Sequence, residues 1–346
     1  MAYTTIDKPT DYFNTKLYTG TGSSLANTGV GFQSDFTWIK GRSGATEHVL
    51  TDAVRGVTKE LNSNDDTAEE TVAQGLTAFG SDGFTVGTDA SYNTSSATYA
   101  SWNWKANGAG ATNEDGSINT TKTSASTTSG FSISTYTGNG TSGATIGHGL
   151  GVVPKMIVVK CRSAAGEDWM VYHEALGNTK HMSVNTTAAS ATATTSWNDT
   201  SPTTTLFSLG SNGKVNGSSK TYVAYCFAEK QGFSKIGSYI GNGNANGTFV
   251  YTGFKPAWIM IKSATTVESW MLFDNKRLGF NPDNDYLLAE GTDVEPADEE
   301  VLDIVSNGFK PRVSAGTLGT SGQTYIYMAF AEEPLVTSTG IPATAR

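Results

Sequence analysis

Apolar and polar positions follow one short pattern that occurs three times. Thr98-Tyr99-Ala100-Ser101-Trp102-Asn103-Trp104, Thr221-Tyr222-Val223-Ala224-Tyr225-Cys226-Phe227 and Thr324-Tyr325-Ile326-Tyr327-Met328-Ala329-Phe330 each open with Thr-Tyr and then alternate. Side chains two apart share a face of a strand, so each copy predicts a strand with a continuous apolar stripe. The stripes are Ala100, Trp102 and Trp104, then Val223, Tyr225 and Phe227, then Ile326, Met328 and Phe330. The opposite face of the first copy carries Ser101 and Asn103, which suits water or a polar contact. In the other two copies it is apolar enough for burial on both sides.

Further elements recur in the same order. Tyr18-Thr19-Gly20-Thr21-Gly22, Tyr136-Thr137-Gly138-Asn139-Gly140 and Tyr239-Ile240-Gly241-Asn242-Gly243 read as hairpin turns. Apolar strands ending in lysine follow, at Phe36-Thr37-Trp38-Ile39-Lys40, Met156-Ile157-Val158-Val159-Lys160 and Trp258-Ile259-Met260-Ile261-Lys262. A fourth shared strand contains Glu47-His48-Val49-Leu50, Trp169-Met170-Val171-Tyr172-His173 and Trp270-Met271-Leu272-Phe273. In that alignment His173 matches Leu50 and Phe273 and reads as a packed residue.

A repeat of roughly 100 residues has the size of a small domain, not of a solenoid unit. The expected fold is mainly β: three tandem antiparallel β-sandwich-like modules, each with at most one short helix. The boundaries fall at an N-terminal arm over 1–12, modules over 13–106, 130–232 and 233–333, a Gly/Ser/Thr-rich linker over 107–129 and a tail over 334–346. Thr67 and Glu70 have capping-box spacing, which predicts a helix over 66–73. Pro296, the acids around it and Asn307-Gly308 predict another over 295–305. Residues 185–205 read as an irregular loop around Trp197, and the linker around Ile118 as an edge strand crossing the surface of the first module.

Composition narrows the functional classes. Only 16% of residues are charged, against roughly 25% in an average globular domain, so hydroxyls, amides and glycine solubilise the surface. The formal net charge of −9 and the lack of a Lys/Arg cluster argue against a nucleic-acid partner. No stretch reaches the roughly 20 apolar residues of a membrane span. The first residues lack the basic and apolar regions of a secretion signal, so synthesis in a cytoplasm is expected.

Candidate chemistry is sparse. Gly138-Asn139-Gly140-Thr141-Ser142-Gly143 matches a dinucleotide motif by letters, but an apolar strand follows it and Lys160 stands where an acid is needed. The four histidines lack metal spacing. Cys161 and Cys226 read as small buried fillers. The oxygens of 62–66 and of 283–285 read as turn chemistry and not as a calcium loop. No catalytic residue, metal or cofactor is assigned. Residues 1–12 read either as an extra edge strand on their own module or, through Tyr3, Ile6 and Tyr12, as a docking arm for a neighbouring subunit, and Trp197, in its polar loop, reads as a glycan contact. The other tryptophans in the repeated strands read as core.

Five stretches carry a resemblance: Tyr12-Phe13-Asn14-Thr15-Lys16-Leu17-Tyr18-Thr19-Gly20, Asp52-Ala53-Val54-Arg55-Gly56, Ser81-Asp82-Gly83-Phe84, Trp102-Asn103-Trp104-Lys105 and Gly147-His148-Gly149-Leu150-Gly151. Together they resemble an uncharacterised β-rich repeat domain of tailed-phage virion proteins, especially marine ones, over roughly residues 10–332. The resemblance implies a non-enzymatic virion protein: a tail fibre or appendage contacting the host surface, or alternatively a capsid decoration protein. It implies virion proteins as partners, with a host-surface glycan or protein receptor. It also implies either a homotrimer or a monomer with pseudo-threefold repetition. Outside that class, a free-standing carbohydrate-binding module is the alternative, and a glycan-degrading enzyme lacks any site motif.

Overall fold

Each Thr-Tyr stripe becomes the central strand of a sheet in the computed structural model, which describes residues 3–277, 281, 284–297 and 299–343. In the first segment the central strand Thr98–Trp104 lies between a first strand, Phe13–Thr19, and the lysine strand Phe36–Gly41. A partner strand, His48–Asp52, follows the lysine strand, and Lys59–Asn62 follows that. The second segment repeats the order with Phe131–Thr137, Thr221–Phe227, Met156–Cys161, Met170–His173 and Lys180–Ser183. The third repeats it with Ser234–Ile240, Thr324–Pro334, Phe254–Ser263, Met271–Asp274 and Leu287–Leu288. Neighbouring strands pair antiparallel throughout, as in Trp38 opposite Trp102 and Met260 opposite Met328.

A smaller sheet covers the outer face of each large one. It is built from Leu25–Thr28, Leu76–Gly80 and Gly83–Val86 in the first segment, and from Ala144–Gly147 and Leu206–Leu209 in the second. In the third it is Val250–Tyr251, Leu302–Val305 and Gly308–Pro311. These sandwiches enclose three local cores, around Tyr99, Tyr222 and Tyr325. The apolar stripes of the central strands face the other way, into one interior shared by all three segments. There Phe36 stacks on Tyr225 at 4.5 Å, Trp104 meets Trp258 at 5.4 Å and Phe227 meets Phe330 at 6.1 Å. Offset and edge-to-face aromatic contacts each contribute about 0.5–1.5 kcal/mol beyond area burial.

The Thr-Tyr opening has a local cause. A one-turn helix precedes each central strand: Ala90–Asn93, Gly213–Asn216 and Gly316–Gly319. The Tyr99 hydroxyl donates to Ala90 O at 2.8 Å and accepts from Thr94 N at 2.8 Å. Tyr222 and Tyr325 do the same to Gly213 and Gly217 and to Gly316 and Thr320. The tyrosine of each glycine turn stacks on this one, at 5.0 to 5.2 Å, and donates to the same helix through Tyr92 O, Val215 O or Leu318 O. The glycine turns are therefore corners between large and small sheets, not hairpins. A Cβ on Gly20 would lie 2.2 Å from Thr94 O, so the helix end needs glycine there.

Several expectations give way to contacts between segments. No helix forms over 66–73. Glu69 N donates to Arg162 O, and Asp66 O accepts from Gly166 N, so the peptide groups of this turn are engaged with the second segment. Residues 70–71 pair as a short strand with Lys59–Asn62. The predicted helix over 295–305 is also absent among its described residues: Glu295 N donates to Arg42 O, and Leu302–Val305 forms a hairpin with Gly308–Pro311 across a turn that includes Asn307. Asn-Gly here marks a hairpin, a second meaning of the same dipeptide. Ser101 and Asn103 are fully buried, their side chains donating to Lys16 O and Asn14 O. Residues 185–205 hold the helix Thr194–Trp197 and the short strand Ala191–Thr192. The linker lies on the second segment and not across the first: Lys122–Ser126 pairs with the second segment's first strand, and Ile118 bridges to Ile146.

Candidate functional site

A set of buried ionisable groups sits at the three seams where one segment meets the next. Lys40, Lys160 and Lys262, the ends of the lysine strands, are fully buried. Lys160 Nζ of the second segment donates to Asp66 O of the first, at 3.1 Å, and to Glu167 O at 2.7 Å. Lys262 Nζ of the third donates to Thr187 O of the second, at 3.0 Å. Lys40 Nζ of the first donates to Thr292 O and Asp293 O of the third, at 3.2 and 2.9 Å, which closes the cycle. An ammonium carries three donors, and loop carbonyls supply the acceptors. Burial lowers the Lys40 and Lys262 pKa to about 8, against the opposing pull of acids nearby.

A carboxylate and an arginine reinforce two seams in the same way. Asp52 accepts from Val54 N, Arg55 N and Arg55 Nε, and across the seam from the Tyr225 hydroxyl at 2.7 Å. Arg55 reaches Glu69 at 3.1 Å, and Glu69 accepts two bonds from Arg162 of the second segment at 2.8 Å each. Asp274 repeats this with Lys276 N, Arg277 N and Arg277 Nε, and across the seam with Trp102 Nε1 at 2.9 Å. Arg277 reaches Glu295 at 2.7 Å, and Glu295 accepts from Arg42 of the first segment at 2.5 Å. Burial pushes the Asp274 carboxyl up, but the Arg277 guanidinium outweighs it and holds the acid below the usual range. Glu69 is held low by the same balance with Arg162 and Arg55.

The seam between the second and third segments lacks a buried aspartate–arginine network among the described residues, and its charge pair, Glu229 with Lys235 at 3.2 Å, lies at the partly exposed rim. His173 lies opposite Met156, as Asp52 lies opposite Phe36 and Asp274 opposite Trp258. Its true counterparts are thus the two aspartates, not Leu50 and Phe273. A register error of one residue moves a side chain to the other face of a strand. His173 Nδ1 accepts from Ala175 N at 3.2 Å, so Nε2 carries the proton and faces Tyr327 O at 3.4 Å. Leu176 stands where Arg55 and Arg277 stand. Ser190 replaces the glutamates, donating through its amide and hydroxyl to Ala264 O. Burial lowers the His173 pKa to about 4.

The docking-arm residues are already engaged within the chain. The Tyr3 hydroxyl donates to Gly253 O at 2.7 Å, Ile6 is buried in the shared interior and Tyr12 packs edge-on against Phe233 at 6.1 Å. The arm joins the first segment to the third, and its apolar side chains are not free for a neighbouring subunit. Trp197 is buried against Tyr172 at 6.0 Å and is not a surface sugar platform. Its helix turns it inward, which the Thr/Ala-rich sequence around it did not signal. The Asp-x-x-Arg spacing at 52–55 and 274–277 is the sequence feature that marks the seams.

The interior offers little room for a ligand. A cavity of about 30 Å³ lies where Phe36, Trp104, Met156, Tyr225, Trp258 and Met328 converge. Cys161 and Cys226 are free and buried, and burial pushes the Cys226 thiol up to about 12. Among the described residues no cluster of His, Cys, Asp and Glu could hold a metal ion, and no helix is long and apolar enough to cross a membrane. Asp283, at the start of the 283–285 stretch, lies outside the described residues.

A family model described as a domain of unknown function, DUF7483, matches residues 8–334, so it spans all three seams. The chain belongs to the DUF7483 family. No curated protein matches the sequence. The DUF7483 match begins inside the arm, after Tyr3 and Ile6, and ends at the last residue of the third central strand.

Proposed function

We propose that this chain is a non-enzymatic structural protein of a tailed-phage virion, carried on a tail fibre or appendage that contacts the host surface. The observation that carries the reading is the engagement of the buried charges. Lys40, Lys160, Lys262, Asp52, Arg55, Asp274 and Arg277 hold segment to segment, and each has its partners in the fold. All seven tryptophans are buried as scaffold. This is the chemistry of a rigid building block, and the sequence resemblance supplies the particle. Reading it as a capsid decoration protein has one specific observation in its favour. Three segments of the same strand order, closed in a cycle, let one chain match a local threefold site.

Electron microscopy of purified particles labelled with antibody against this chain tests both. Label along the tail supports the appendage and label over the head supports decoration. Particles without label, together with sugar binding by the free protein, would replace both with a carbohydrate-binding module.

A further inference from the structure

We infer that the groove between the N-terminal arm and the third segment is a binding site for a neutral oligosaccharide. The inference rests on the host-contact reading above and names the class of ligand. Phe249 and Tyr251, at 48% and 51% exposure, are the only strongly exposed aromatic side chains among the described residues. They stand two apart, on either side of buried Val250, so both project from one face of the edge strand Val250–Tyr251. Tyr251 forms one wall of a groove of about 350 Å³, with Tyr3, Glu229, Gln231, Ser234 and Lys235 along the rest. That size is within the roughly 300–1,000 Å³ of small-ligand sites.

The groove is preformed and its charges are compensated. The Tyr3 hydroxyl, fixed on Gly253 O, lies 3.4 Å from the Tyr251 hydroxyl. Glu229 is held by Lys155 at 3.0 Å, by Lys235 at 3.2 Å and by Ile236 N at 2.9 Å. The groove's own lining charges, Glu229 and Lys235, pair with each other, so a neutral ligand fits best. The Gln231 side chain is exposed and has no hydrogen bond to the described residues. Its amide offers an acceptor and two donors, the set that neighbouring sugar hydroxyls require. A pyranose presents an apolar C–H face and a hydroxyl rim, and an aromatic wall beside a free amide complements both. A protein partner would be met by a broader, drier patch with an apolar centre.

Saturation-transfer NMR on the full chain with maltose, lactose, cellobiose and diacetylchitobiose tests this, alongside Tyr251→Ala and Gln231→Ala. Both side chains are exposed and outside the shared interior, so both variants should keep the wild-type melting temperature. At least one sugar should bind, about tenfold more weakly to each variant. Failure of all four sugars to bind at millimolar concentration would overturn the site, as would undiminished binding by both variants. A photo-crosslink from position 251 to another virion protein in the particle would also overturn it. Antibody label on the tail without sugar binding removes the groove alone; sugar binding without label removes the virion reading and leaves the groove.

Discussion

A single position, 173, shows how residue choice tunes a shared scaffold. His173 is neutral because burial opposes its charge, although Glu174 and Glu229 favour protonation and Lys155 opposes it. Its folded pKa of about 4 lies below the ordinary 6.5. Between those values the unfolded chain binds more protons, so stability is lost as the pH falls from 6.5 towards 4. The buried His48 and His148 are also lowered, mainly by burial, and act with the same sign. Urea unfolding from pH 7 to 4 should show this acid slope, and His173→Asn should flatten part of it; an unchanged slope would contradict the assignment. Asp274 has the opposite requirement. Asp274→Asn leaves Arg277 buried with its closest anion removed, and should cost about 3–5 kcal/mol by urea unfolding at pH 7. A loss below about 1 kcal/mol would mean that Glu295 alone satisfies the guanidinium. The repeated lysines were legible in the sequence because they end an apolar run. The equivalence of His173 with the aspartates was missed because the strand was aligned one residue out, although the shared Trp-Met start at 169–170 and 270–271 sets His173 on Asp274 and the pairing register agrees.

At the scale of elements, strands proved more legible than helices. Alternation defines a strand wherever one face is buried, and the Thr-Tyr stripes, lysine strands and partner strands all formed where the pattern placed them. The two predicted helices had good local caps, but their backbone groups bond across a seam. Local propensity is a weak prior once tertiary contacts compete for the same donors and acceptors. The helices that precede the three central strands are single turns, held by tyrosine hydroxyls from those strands. Tyr222→Phe removes two of these bonds and leaves Gly213 O and Gly217 N unpaired, which should cost about 1–3 kcal/mol in thermal or chemical unfolding. The N-terminal arm behaves as part of the fold. Ile6→Ala should destabilise by about 2–5 kcal/mol, since it empties a site in the shared interior. Unchanged stability combined with loss of particle incorporation would instead restore the docking arm.

For the whole molecule, the decisive feature is that three sandwiches share one interior. Their aromatic stripes were visible in the sequence, but which way each stripe faced was not. Periodicity separates the two faces of a strand without saying which lies inward toward its own segment. The seams follow from that choice, since a stripe buried against the neighbouring segments brings the ends of the lysine and partner strands to the boundary. Hydrophobic burial in each sandwich alone would be modest, and the common interior supplies the rest. The three segments should therefore unfold as one unit. Differential scanning calorimetry of the intact chain measures this most directly. The structure predicts a single transition whose calorimetric and van't Hoff enthalpies agree. Separate transitions for the three segments, each with its own fraction of the enthalpy, would contradict a shared interior.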